Sequence, residues 1–164
     1  MKKLLLAVAL FFAIQFAYSQ EETRIGGMLA YGTEIESIGI GANAEFPIIE
    51  NLTISPSFIY YFPKEEYGFK MNWFEVNANA NYYFITNDNL GFYGLGGLNY
   101  SSIKVSYDES FFGSGSVSDG RIGLNLGAGA NFELGGSIVP FAEVKYVIID
   151  GGQLVIGAGV KFNI

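Results

Sequence analysis

The sequence predicts an all-β protein, an eight-stranded antiparallel up-and-down transmembrane β-barrel. Three observations predict it. The chain opens on an apolar leader, its apolar residues recur at every second position in long segments, and its 164 residues combine 50% hydrophobic content and 22 glycines with only 15% charge. Low hydrophobicity and high charge mark disordered chains, and this chain has neither.

Lys2 and Lys3 precede an apolar run from Leu4 to Ile14, and Ala17 and Ser19 are small residues at the spacing of an export cleavage site. Residues 1–19 are read as a signal peptide cleaved before Gln20, and residues 20–164 as one barrel domain. A retained helical anchor is disfavoured, because the run is shorter than the roughly 18 apolar residues that span a bilayer. Without Lys2 and Lys3, seven basic residues face sixteen acidic ones, a net charge near −9. That balance offers no basic patch to hold phosphate, which excludes nucleic acid as a partner.

Cysteine and histidine are both absent. No disulfide framework, lipoprotein anchor, Ser-His pair, histidine-ligated zinc or imidazole base is possible. No cofactor and no metal-ligand set is predicted.

The period of two is clearest at 120–134, where Ile122, Leu124, Leu126, Ala128, Ala130, Phe132 and Leu134 alternate with Arg121, Gly123, Asn125, Gly127, Gly129, Asn131 and Glu133. A helix would scatter both sets around its axis. The same alternation runs through 72–84 and 153–164, with Val155 the one exception in the last. It places further strands near 24–32, 38–48, 52–62 and 138–149. Residues 91–104 read as a strand of undecided facing, because Phe92, Leu98 and Tyr100 share one parity while Tyr93 and Leu95 share the other. Short turns are predicted at 33–37, 49–51, 86–89, 135–137 and 150–152, with longer links at 63–70 and 105–119. Three segments run from Gly-x-Gly to an aromatic: Gly39 to Phe46, Gly127 to Phe132 and Gly157 to Phe162. None completes a G-x-G-x-x-G phosphate loop, so they read as equivalent strands with glycine where chains pack closely.

The non-apolar face decides which side meets water. It is mostly Gly, Asn and Ser, which suits a crowded interior, whereas a soluble barrel turns a charged surface outward. The apolar face then meets lipid, and the clusters Tyr60, Tyr61, Phe62 and Tyr82, Tyr83, Phe84 fall at strand ends where aromatic girdles belong. Lipid cannot satisfy a free sheet edge, so the sheet must close. Glu45, Glu75, Arg121, Glu143, Lys145 and Lys161 are then expected inside, as a structural network of acids and bases that fills the barrel in place of an open pore.

These features resemble the small eight-stranded outer-membrane barrels of the OmpX and OmpA-transmembrane type, and in particular the outer membrane protein beta-barrel domain family. The resemblance covers the whole chain after the leader. It implies residence in the cell outer membrane of a Gram-negative bacterium among lipid and lipopolysaccharide, and a periplasmic N-terminus with residues 63–70 and 105–119 outside the cell. It also implies that Phe162 and Ile164 serve as the terminal signal for the barrel-assembly machinery, with Ile in place of the frequent terminal Phe.

A non-enzymatic structural or surface-interaction role is the leading functional expectation. Tyr107, Asp108, Glu109, Phe111 and Phe112 are its candidate contacts, since loops on rigid scaffolds carry binding. Asp108, Glu109 and Asp119 offer carboxylates for calcium or for a divalent bridge to lipopolysaccharide, at a spacing that matches no EF-hand. The alternatives are a lipid-modifying enzyme, disfavoured by the missing histidine, and a soluble lipocalin-like barrel that binds a small apolar ligand.

Overall fold

The computed structural model describes residues 22–66, 69–87, 89–109 and 113–164; the segment read as a signal peptide lies outside them, as do Phe111 and Phe112. The alternating segments form eight strands: β1 (Arg24–Gly32), β2 (Ser37–Ile49), β3 (Leu52–Glu66), β4 (Phe69–Asn87), β5 (Leu90–Glu109), β6 (Gly113–Phe132), β7 (Ile138–Ile148) and β8 (Gln153–Asn163). Each pairs antiparallel with its neighbours in sequence, and β1 pairs with β8 from Arg24↔Asn163 to Gly32↔Val155, which closes the barrel.

Turn chemistry holds the hairpins at one end. Asn51 adopts a φ of 63° between β2 and β3, and Gly135 a φ of 76° between β6 and β7. Asparagine and glycine tolerate this left-handed region best.

Alternation sets the two faces of the wall. Leu29, Ile122, Leu126 and Ile156 are each more than half exposed on the outside, where water would make so large an apolar surface a liability and hydrocarbon does not. Phe58, Phe74 and Tyr100 form a chain of ring contacts at 5.9 and 6.3 Å on one level, and Tyr82, Phe84, Phe132 and Phe162 lie outside near the termini. Phe74 and Phe84 are ten positions apart on β4, which matches the 9–11 residues or so with which a tilted strand crosses a bilayer.

Tyr61 and Tyr83 depart from the expected girdle. Tyr61 is buried among Met28, Ile59 and Val155, and Tyr83 turns inward to stack on Tyr93 at 5.2 Å. In each aromatic triplet the middle residue has the inward parity, and the hydroxyl makes an inward tyrosine possible by finding a partner there. β5 resolves in the same way: Tyr93, Leu95, Asn99 and Ser101 are buried, while Phe92, Leu98 and Tyr100 face out. Interior apolar residues near one end had blurred its alternation. Val155, the exception in β8, also lies inside.

The two longer links are corrected. β3 and β4 extend to Glu66 and from Phe69, and β5 and β6 extend to Glu109 and from Gly113. Most of 63–70 and 105–119 is therefore strand. Ser114, Ser116 and Ser118 alternate with Gly115, Val117 and Asp119, a pattern polar enough on both faces to carry no period-two contrast. β5 runs nine residues beyond Tyr100, roughly 30 Å along the strand. The chain thus raises a four-stranded sheet, β3 to β6, above the aromatic level.

Candidate functional site in the interior and the raised sheet

Two ion pairs cross the barrel at different depths. Nearer the termini, Lys161 Nζ on β8 stands 2.6 Å from Glu45 Oε2 on β2 and donates to Asn131 Oδ1 at 3.0 Å. Glu45 Oε1 accepts from Thr53 Oγ1 at 2.9 Å and from the Tyr83 hydroxyl, which in turn accepts from Asn131 Nδ2 at 2.7 Å. The ammonium also lies 4.6 Å from the centre of the Phe141 ring, within cation–π range.

The second pair lies further from the termini. Lys145 Nζ on β7 is 3.0 Å from Glu75 Oε2 on β4, and Glu75 Oε1 accepts from Gln153 Nε2 at 2.8 Å and from the Tyr61 hydroxyl at 3.2 Å. Asn77 links this pair to an amide ladder. Its Oδ1 accepts from Lys145, Asn99 and Asn125 at 2.8, 2.8 and 2.9 Å, and Asn125 donates onward to Asn79 at 2.8 Å. All four charged groups are at most 3% exposed, a depth at which only paired and hydrogen-bonded charges are tolerable.

Of the six charged residues expected inside, Glu45, Glu75, Lys145 and Lys161 form these pairs. Glu143 joins them through Tyr93, whose hydroxyl donates to Oε2 at 3.0 Å. Arg121 does not: it has the inward parity but lies past the level where β6 meets β7, and it is solvent-exposed. There Nε holds Asp119 Oδ2 at 2.7 Å and Nη1 donates to the Asp150 carbonyl at 3.1 Å. Sequence reasoning missed Thr53, Tyr61, Tyr83 and Tyr93 as partners of these charges. The available signal was parity, since all four share the inward face with the acids they serve.

Glycine gives the network its room. A Cβ at Gly129 would collide with the ring of Tyr93, so that ring could not lie across β6 toward Glu143. Both amide atoms of Asn81 and the side-chain oxygens of Asn43 and Asn125 have no protein hydrogen-bond partner.

The raised sheet carries the other candidate contacts. Tyr107, Asp108 and Glu109 fall at the tip of β5, in register with Gly115, Ser114 and Gly113. Pairing between β6 and β7 begins at Leu124↔Ile148, so among the described residues Gly113–Gly123 pairs with β5 alone. β3 likewise leaves β2 beyond Gly39↔Tyr61, where Ser37 Oγ holds the Phe62 carbonyl at 2.7 Å. At the base, Lys64 pairs with Glu36 at 2.9 Å, and this ammonium, through its hydrogen bond and then its charge, holds the Glu36 carboxyl below the usual carboxylate range. Asp119, one of the three carboxylates considered for calcium, is engaged by Arg121. Among the described residues, no group of three or more carboxylates is placed to hold a metal ion.

Solved structures share this architecture. The N-terminal β-barrel domain of Pseudomonas aeruginosa OprF superposes with a TM-score of 0.69 at 18% identity, over 88% of this chain and 98% of that one. Neisserial surface protein A gives 0.63 at 17% identity, over 87% and 96%. The Yersinia pestis attachment invasion locus protein Ail, in complex with the heparin analogue sucrose octasulfate, gives 0.59 at 23% identity, over 86% and 97%. No curated protein sequence matches the chain. The family described as outer membrane protein beta-barrel domain matches residues 4–163, nearly the full length. With its closed eight-stranded wall and lipid-suited exterior, the chain belongs to that family and is an outer-membrane β-barrel.

Proposed function

We infer that this protein is a non-enzymatic surface-display barrel: a plugged wall in the membrane that holds the raised β3–β6 sheet as a contact surface for a partner. One observation carries the reading. Among the described residues the Gly113–Gly123 edge of β6 has no second strand beside it beyond the barrel rim, and a free ladder of N–H and C=O groups on an exposed edge is a ready template for main-chain recognition. Tyr107, Asp108 and Glu109 end β5 at the tip of that sheet, and together with Phe111 and Phe112, which lie outside the described residues, they are assigned to the contact. The interior charges are assigned a structural role, with the Glu45–Lys161 and Glu75–Lys145 pairs closing the lumen to ions.

Phe162 and Ile164 are assigned to the assembly signal. Phe162 faces out between Ile25 and Ile138, and Ile164 tops the last strand with its N–H on the Thr23 carbonyl at 2.9 Å. The soluble lipocalin-like alternative has no support from the family match.

The test compares cells that display the full chain with cells whose residues 104–118 are replaced by a two-residue Asn-Gly turn. Cell-to-cell and cell-to-surface adhesion should fall in the trimmed strain, while the heat-dependent gel mobility of a folded barrel stays unchanged. Equal adhesion would remove the contact role. Single-channel conductance in a planar bilayer would remove the plugged interior.

A further inference from the structure

One part of the lipid-facing wall forms a flanked groove. Most of that wall is studded with large aliphatic or aromatic residues, but a groove of about 720 Å³ runs along its outside over β1 to β4. Its outward floor is made of Ala42 and Ala44 on β2 and Pro56 on β3. Ile25 and Phe162 rise on one side, and Phe58 and Val76 on the other.

The backbone explains the bare floor. The β2–β3 ladder pairs Asn43 with Ser57 and resumes in the same register at Phe46 with Ile54, and the bridge is interrupted between them, where Ala44 and Glu45 face Pro56 and Ser55. Proline has no N–H to give to the facing strand. Small outward residues thus coincide with this stretch of the ladder, and Gly26, Asn43 and Ser57 also line the groove.

We propose that this groove is a seat for one acyl chain of a membrane phospholipid. The groove is continuous with the lipid-facing exterior and runs from Ile25 and Phe162 near the termini to Phe58 and Val76. Apolar walls on both flanks exclude water, and an empty apolar groove forfeits the dispersion contacts of every atom that lines it. A methylene chain is the flexible, narrow apolar body that the surrounding solvent supplies. Other outward small residues, such as Gly94 and Gly96 on β5, also leave low places on the wall, but here Phe58 and Phe162 confine an acyl chain from both sides, so it exchanges more slowly.

The test uses the full barrel in phosphatidylcholine nanodiscs doped with a phosphatidylcholine that carries a diazirine in its acyl chain, followed by peptide mapping after illumination. Label should concentrate several-fold on peptides containing Ala42–Ala44 and Pro56–Phe58, relative to the equally lipid-facing Leu124–Ala128. Filling the groove with Ala44→Leu, or separately Ala42→Leu, should reduce that excess to the level of the rest of the wall. Ala128→Leu on the opposite wall should leave it intact. Heat-dependent mobility reports folding of each variant, so the outcome rests on the variants that fold. Uniform labelling around the barrel overturns the proposal, and so does an excess that survives both filling variants. Protein-to-protein crosslinks through Ala42 or Ala44 in place of lipid adducts would assign the groove to a second copy and overturn it equally.

Discussion

Replacing Lys161 with methionine keeps most of the unbranched side chain and removes its charge. The ammonium it deletes is 2.6 Å from Glu45 and 3.0 Å from Asn131, over the Phe141 ring. At 2.6 Å and an effective dielectric of about 20, the gross attraction is about 6 kcal/mol, but desolvation of both ions offsets much of that. The observable effect comes from the partner left behind. Glu45, 2% exposed, keeps Thr53 and Tyr83 as donors but loses its counter-charge, and breaking a buried pair from one side costs about 3–5 kcal/mol. Removing both charges, in Lys161→Met with Glu45→Gln, leaves an amide that still accepts from Thr53 and Tyr83, and should restore most of the loss. The assay is reversible urea unfolding in detergent or lipid, read by gel mobility without boiling and by Trp73 fluorescence. With a slope of about 2 kcal/mol per molar urea, the single variant should lower the midpoint by about 2 M and the double variant by less than half of that. A single variant within about 1 kcal/mol of wild type, or a double variant whose loss is the sum of its parts, would refute the buried-pair reasoning.

Glu75→Leu should be at least as damaging by the same assay, because it strands Lys145, Gln153 and the Tyr61 hydroxyl together. Arg121→Ala should change unfolding by no more than about 1 kcal/mol, since exposed pairs contribute little, yet amide exchange should quicken along 113–123 once the tether to Asp150 is gone. Glu36 should titrate below an ordinary glutamate in an NMR pH series, and Lys64→Ala should move it back up. Its pairing is therefore present at neutral pH and lost as pH falls through that lowered value. Gly129→Val should abolish the heat-dependent mobility shift, because its side chain would claim the space of the Tyr93 ring.

Strand number, order and facing were legible wherever one face was apolar and the other was not, as in β6 and β8. Legibility failed for two physical reasons. Where both faces are small and polar, as from Ser114 to Asp119, a strand in water has no alternation to show, so the raised sheet read as loop. Where an apolar residue points inward, as Tyr61, Tyr83, Leu95 and Val155 do, periodicity assigns it to the wrong side or to neither. The interior charges were identifiable by parity, but their pairing was not. Which acid meets which base depends on stagger between strands far apart in sequence, and Lys161 finds Glu45 across 116 positions. Arg121 shows the limit of parity: it has the right side of the strand and the wrong height.

The seam between the first and last strands joins residues at the two extremes of the described chain. Arg24 Nε donates to Asn163 Oδ1 at 3.1 Å, and every other pair of neighbouring strands is a simple hairpin. The ring of described strands is therefore circular in everything but the one connection from β8 to β1. A linker from β8 to β1, with a new start cut at Gly135–Gly136, would leave every strand beside its present neighbours. In such a permuted chain the β6–β7 ladder would become the last-closed seam, and the order of synthesis would change while the wall and its lining stayed the same.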